Sequence, residues 1–278
     1  MSSRRDQLAK QAPPPTSAVT GPHRIQFTGV SKHFQIRGAR GFEEIIAIEN
    51  VTLGVRANEV AAVIGPSGCG KSTLLSLGAG LDQPTRGEVR VEGVLVTKPP
   101  LSVAFMLQKD LLLPWRTIQR NVEYGMEVRK VPVEKRKARS SALLRRFGLD
   151  KFANAYPHQL SGGMRQRASL ARTMALEPNI LLLDEPFSAL DAQTKMTLQE
   201  ELAKTVRESG TTTVFITHDL TEAVVLADRI YVMSARPGTI VKEIVVDLPY
   251  KGDPMERYFH PATVTYVKEI WSMLSHDK

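Results

Sequence analysis

The sequence predicts an α/β fold: a mainly parallel sheet covered by helices, preceded by an antiparallel β region and interrupted by a helical insertion. Three observations carry this reading. Short apolar runs, "EVAAVIG", "NILLLDE", "TTTVFIT" and "RIYVMSA", alternate with helical stretches such as "AQTKMTLQEELAKTVRES" and "DLTEAVVLA", the pattern of buried parallel strands joined by helices that cover both faces. Nearer the start, "RIQFTGVSKHF" and "IAIENVTLGVR" alternate apolar and polar residues, as antiparallel strands do. From about Arg116 to Gln159 the periodicity turns helical, broken at Pro132 and Pro157, as expected of an insertion.

Taken in order, residues 1–22 are Pro-rich and polar and read as a mobile tail. Arg4 and Arg5 among serines give a faint transit-peptide pattern, opposed by Asp6. Between the first two strands "QIRGARGFEE" reads as a loop. "EVAAVIG" is a strand that stops at glycine, and "KSTLLSLGAGL" continues as a helix. "GEVRVEGVLV" and "LSVAFMLQ" are further strands, and the helical insertion occupies about 116–176. The last stretch, "DPMERYFHPATVTYVKEIWSMLSHDK", predicts a terminal helix after a Pro-rich turn. The division is thus a tail at 1–22, one domain at 23–250 and a helical extension at 251–278.

With 42% apolar residues the chain has the composition of a globular protein. No apolar run approaches the roughly 18–20 residues that span a bilayer, so a membrane role comes through a partner. The single cysteine, Cys69, excludes an intramolecular disulfide and suits a reducing, cytoplasmic setting. A net charge of +8 attracts nucleic acid, anionic lipid or acidic partners without choosing among them. Much of it lies in Arg129–Arg146, which reads either as the solvated face of an amphipathic helix or as a contact for membrane or nucleic acid.

"GPSGCGKST", Gly65 to Thr73, matches G-x-x-x-x-G-K-[ST] in the required strand–loop–helix context. Glycines let backbone amides turn inward around phosphate oxygens, and the following helix adds the positive end of its dipole. Lys71 is placed to neutralise the β- and γ-phosphates, and the Ser72 hydroxyl to ligate Mg²⁺. Alkylation of Cys69 inside this loop is expected to block ATP binding. "NILLLDEP" sets two carboxylates at the end of an apolar strand, an expensive placement unless they meet a metal or a proton. Asp184 fits the Mg²⁺ position of a P-loop NTPase and Glu185 the residue that polarises the attacking water.

The phosphate loop, Gln108 in "MLQKD", "LSGGMRQR", "LLLDEP", "SALD" and the histidine of "ITHD" occur in this order over about Arg24 to Asp247. In this the chain resembles the ATP-binding subunits of ABC transporters. The resemblance implies roles at matching positions. Phosphate and nucleotide are held by Gly65, Pro66, Ser67, Gly68, Cys69, Gly70, Lys71, Ser72 and Thr73. Gln108 reaches the metal and the attacking water; on its own it reads as a turn residue. Asp191 tunes contacts across a dimer; alone it reads as an N-cap. His218 hydrogen-bonds the γ-phosphate, against the alternative of a structural histidine. Phe34 stacks on adenine, against the alternative of core packing. Ser161, Gly162 and Gly163 of one subunit close over ATP held by the phosphate loop of another, and need no lysine because the partner supplies one.

"LQKDLLLPWRTIQRNV" and "ARPGTIVKEIVVDLP" resemble the nitrate, sulfonate and taurine importers. This implies a second ATP-binding subunit in a homodimer, transmembrane permease subunits docked on Leu112–Trp115, a periplasmic or extracellular solute-binding protein acting through the permease, and a peripheral place on the cytoplasmic face of the membrane. A competing class, ABC-type ATPases acting on nucleic acid or ribosomes, usually shows two cassettes, zinc cysteines or a heptad insertion, none of which is visible here.

Overall fold

The computed structural model describes residues 23–38 and 41–275; the tail expected over 1–22 lies outside the described residues. The apolar runs form strands β3 (Val60–Ile64), β7 (Ile180–Asp184), β8 (Thr212–Ile216) and β9 (Arg229–Met233), each buried at every position. Burial on both faces is why they lack polar alternation. With β6 (Val103–Met106) and β10 (Ile240–Val245) they make a six-stranded sheet in the order β10-β9-β3-β8-β7-β6. The strands from β9 to β6 pair in parallel, and β10 folds back antiparallel on β9.

Alternate residues of this sheet enter two cores. Val60, Ala62, Leu181, Leu183 and Phe215 face the helical side: α2 (Ile118–Val128), α3 (Val133–Arg146), α4 (Gly162–Met174), α5 (Ala192–Ser209) and α6 (Leu220–Leu226). Ala61, Val63, Ile180, Leu182 and Val214 face α1 (Lys71–Gly78) and a second, antiparallel sheet. That sheet has the order β2-β1-β4-β5, with β1 His23–Gly38, β2 Gly41–Arg56, β4 Arg86–Val91 and β5 Val94–Leu95. The expectation of helices on both faces is therefore corrected on this side, where only α1 intervenes. Leu74, Leu75 and Leu77 fill the space between the two sheets, so one helix and one sheet together cover the face.

The loop expected at Gln35–Glu44 is also corrected. Register runs on through Gln35↔Glu44, Ile36↔Glu43, Arg37↔Phe42 and Gly38↔Gly41, so β1 and β2 form one long hairpin. Phe42, Glu43 and Glu44 are exposed. With no buried face there, the alternation that marks a half-buried strand has no reason to appear. The terminal helix divides in two, α7 (Pro254–Phe259) and α8 (Pro261–Ser275). Pro261 lacks an N–H and pushes His260 to an extended conformation, φ −69 and ψ 130.

Within residues 129–146 three arginines have acidic neighbours. Arg136 lies 3.7 Å from Glu127, Arg139 pairs with Glu177, and Arg146 reaches Glu201 and Glu208, each at 3.1 Å. Such half-exposed pairs contribute at most about 1 kcal/mol each, and Lys130, Lys135, Lys137 and Arg145 form no ion pair among the described residues.

The C-terminal segment is lashed to α6 by Arg257, whose side chain is fully buried. Its guanidinium donates to the carbonyls of Val225 (3.3 Å), Ala227 (3.0 Å), Leu248 (3.1 Å) and Pro249 (3.1 Å). Arg257→Ala strands several buried carbonyls and opens a cavity, a loss of about 3–5 kcal/mol. A clear drop in the urea midpoint is expected in equilibrium unfolding.

Candidate functional site

In a parallel α/β sheet the loops at the carboxyl ends of the strands converge, and here they converge around the phosphate loop. After β3 the chain turns through Gly65, Pro66, Ser67, Gly68, Cys69 and Gly70 into α1. Gly70 has φ 101, and a Cβ there would lie 2.4 Å from Ile48 Cγ2 and 2.8 Å from the Ala47 carbonyl. Only glycine turns this corner, and it aims the next amides at the cleft. Lys71 Nζ donates to the carbonyls of Gly65 and Pro66, each at 2.8 Å. Cys69 is 1% exposed. An alkylating reagent meets the thiol only when the loop opens, which narrows the labelling expected from the sequence.

The neighbouring strands deliver the polar groups. Asp184 ends β7 and is 5% exposed. Burial pushes its carboxyl above the usual carboxylate range; the Ser72 hydroxyl and Lys71 oppose this, and the Glu185 charge adds to it. Glu185 then takes a left-handed conformation, φ 48, unusual for a residue with a Cβ. This turn takes Glu185 out of the strand's alternation, so that it opens into the cleft while Asp184 stays buried. Glu185 Oε2 accepts from Gln108 Nε2 at 3.0 Å, and Oε1 lies 3.5 Å from His218 Nδ1. Gln108 follows β6 and His218 follows β8.

A cleft of about 390 Å³ is lined by the phosphate loop and by Phe34, Gln108, Glu185, His218 and Arg236. Phe34 projects from β1 with 37% of its surface exposed, and Lys32 Nζ sits 5.0 Å from its ring centroid. The cleft therefore gathers an aromatic face, a loop of turned amides, a buried lysine and a carboxylate bonded by Gln108 with His218 close by. Ser72 and Asp184 supply hard oxygen donors, and Asp184 has a buried charge without full compensation. That donor set fits Mg²⁺, which takes one or two protein oxygens and retains its waters.

Other expected residues lie elsewhere. Ser161 caps α4, accepting from the Met164 amide at 3.3 Å, and Ser161 and Gly162 are exposed. A Cβ on Gly163 would meet Leu190 Cδ2 at 2.8 Å. Asp191 caps α5, accepting from the Thr194 amide at 3.0 Å, a bond that holds its carboxyl below the usual range. Ser161, Gly162, Gly163 and Asp191 are not among the residues lining this cleft.

The run Leu112–Trp115 is corrected in part. Leu112 is buried in the helical-side core, whereas Leu111, Pro114 and Trp115 are exposed, Trp115 at 72%.

Two residues escaped sequence reasoning. Gln166, inside "LSGGMRQR" and buried, donates to the Glu185 carbonyl at 3.1 Å and accepts from the Ala189 amide at 3.2 Å. The signal was a glutamine at a core-facing position of α4. Arg236, which sits in "ARPGT", lines the cleft.

Comparison with known proteins follows the same lines. The family model described as ABC transporter matches residues 48–188. The chain is 42% identical over 257 residues to the nitrate import ATP-binding protein NrtD of Synechocystis, covering 90% of this chain and 94% of that one. It is 41% identical over 226 residues to the aliphatic sulfonates import ATP-binding protein SsuB of Bacillus cereus, covering 81% and 87%. Among solved structures, the dimeric post-hydrolysis state of the ATP-binding cassette MJ0796 bound to ADP and Pi superposes with a TM-score of 0.73 at 32% identity, covering 81% of this chain and 99% of that one. The converging strand ends, the motif order and these likenesses lead to one statement: the chain belongs to the ABC transporter family, as an ATP-binding subunit with the ATPase cassette fold.

Proposed function

We propose that this subunit binds and hydrolyses ATP at the cleft between Phe34 and Glu185, and that hydrolysis powers import of a small oxyanion such as nitrate, a sulfonate or taurine through a separate permease. The observation that carries the ATPase site is the meeting of Lys71, Asp184, Glu185, Gln108 and His218 at one sheet edge. Phe34 stacks on the adenine. The amides from Gly68 to Thr73 and the α1 N-terminus hold the β- and γ-phosphates, with Lys71 turning from the loop carbonyls to the phosphate oxygens. Ser72, Asp184 and Gln108 hold Mg²⁺, which when bound neutralises phosphate charge. Glu185 takes the proton of the attacking water; Gln108 and His218 fix its carboxylate on opposite oxygens and orient that water against the γ-phosphate.

Ser161 and the Gly162 and Gly163 amides stand away from this cleft at the start of α4, which supports their acting on ATP held by a second copy. The dimeric cassette MJ0796, bound to ADP and Pi, supports the same arrangement. Asp191 meets the partner beside them. Loss of the shared γ-phosphate loosens the dimer, a population shift driven by differential contacts.

The importer reading rests on NrtD and SsuB, whose names specify nitrate and aliphatic sulfonates. An apolar hollow of about 270 Å³ lined by Phe105, Leu111, Leu113, Tyr124 and Leu176, next to exposed Trp115, supports docking of a permease segment there. Among the described residues no helix is long and apolar enough to cross a membrane. The subunit would thus sit on the cytoplasmic face through that permease, with an extracytoplasmic solute-binding protein as the source of selectivity. The named import functions of NrtD and SsuB favour transport over action on nucleic acid.

Three outcomes test this reading. Glu185→Gln retains ATP affinity, loses at least about a hundredfold in phosphate release, and accumulates as an ATP-bound dimer in size-exclusion chromatography; undiminished turnover removes Glu185 from the role of base. Ser161→Arg binds ATP as the wild type does but neither dimerises nor hydrolyses. Its lost helix cap costs only about 1 kcal/mol, so loss of monomer binding contradicts the split site. Affinity isolation of the chain from membranes brings down a permease, whose binding protein responds to nitrate, sulfonates or taurine in a ligand screen; recovery of ribosomes or DNA instead defeats the transport reading.

A further inference from the structure

The sheet order lays the cleft out in a line. Strand β3, which feeds the phosphate loop, has β8, β7 and β6 on one side, and their ends carry His218, Glu185 and Gln108. On its other side lies β9, paired in parallel through Ala62↔Ile230, Val63↔Tyr231 and Ile64↔Val232. The turn from β9 to β10, Ser234 to Thr239, therefore borders the phosphate loop on the flank away from the hydrolytic groups. It presents Arg236 into the cleft.

This turn is fixed to its surroundings. Across its base the Ser234 amide donates to the Thr239 carbonyl, and the Thr239 amide to Ser234 Oγ, each at 3.0 Å. The Gly238 amide donates to the Ala47 carbonyl and the Glu49 amide to the Gly238 carbonyl, both at 3.0 Å. A Cβ on Gly238 would lie 1.9 Å from the Cys69 carbonyl oxygen, so the turn rests directly on the back of the phosphate loop. Gly65 is equally close to the end of β9, where its Cβ would meet the Met233 carbonyl at 2.8 Å. A backbone pinned at both ends fixes where the Arg236 side chain starts, beside the cleft that it lines. Arg236 makes no hydrogen bond or ion pair with any described residue. With Lys71, it is one of two cationic side chains lining the cleft.

We infer that Arg236 is a nucleotide-binding residue, contacting the α-phosphate end of the bound nucleotide from the flank opposite Glu185 and His218. The inference rests on the reading of this cleft as the ATP site. A guanidinium suits phosphate oxygens, giving charge-assisted and often paired hydrogen bonds. Because Phe34 marks the base end and Glu185 the γ-phosphate end, Arg236 meets a part of the ligand common to ATP and ADP. Its contact is the same before and after hydrolysis, so it adds binding without favouring the transition state.

The test is calorimetric titration of wild type, Arg236→Gln and Arg236→Lys with ATP and with ADP at one fixed salt, together with steady-state ATPase rates. Arg236→Gln is expected to weaken both nucleotides by the same factor, roughly twofold to fivefold for a partly exposed charged contact. KM rises by a similar factor and kcat holds. Arg236→Lys keeps the charge and recovers part of the loss. Unchanged affinities in Arg236→Gln, or a loss confined to ATP, or a fall in kcat at unchanged KM, overturns the inference. A wild-type chain that binds neither nucleotide instead defeats the ATP reading itself.

Discussion

The left-handed backbone at Glu185 is the constraint on which the site depends. A strand directs successive side chains to opposite faces, so two adjacent carboxylates at a strand end would point apart across the sheet. With φ 48 at Glu185, Asp184 stays buried beside Ser72 while Glu185 opens into the cleft between Gln108 and His218. The conformation costs of order 1–3 kcal/mol and persists because its surroundings hold it. Its side chain is engaged by Gln108, its carbonyl accepts from Gln166, and its amide donates to the Ile216 carbonyl at 3.1 Å. One strained residue thus gives two carboxylates different environments, the condition for assigning them different chemistry.

The sheet does the rest of the positioning. Because β3 lies between β9 and β8, the phosphate loop is flanked by a rigid turn on one side and by polar strand ends on the other. The antiparallel sheet brings Phe34 over the same edge through β1, and its β2 backs the glycine corner at Gly70 with Ala47 and Ile48. In the proposed reaction the base is met by the antiparallel sheet, and the phosphates and water by strand ends of the parallel one.

Much of this was legible in the sequence because it depends on local rules. Buried parallel strands read as short apolar runs, and Gly65 to Thr73 announced the turn of amides by its glycines. The helix starts at Ser161 and Asp191 carry N-cap residues, and both do cap helices. What stayed hidden depends on distant partners. The extension of β1 and β2 past Gln35 is backbone pairing without a buried face, so hydrophobic alternation cannot report it. α1 lies between two sheets, so its leucines reveal burial but not what buries them. Gln166 and Arg236 look like ordinary polar residues until α4 is set against the end of β7 and β9 is placed beside β3, and Leu112 enters the core only because the chain after Gln108 folds back on α4.

That return onto α4 has a mechanical consequence. Arg165 donates to the Asp110 carboxylate at 3.0 Å, Ser169 to the Asp110 carbonyl at 3.1 Å, and Arg172 to the carbonyls of Asp110 and Leu111 at 2.6 and 2.7 Å. The same helix carries Ser161 at its tip and Gln166 at the Glu185 carbonyl. One helix therefore joins the segment after β6 to the turn after β7, and neither can shift against it without giving up those hydrogen bonds.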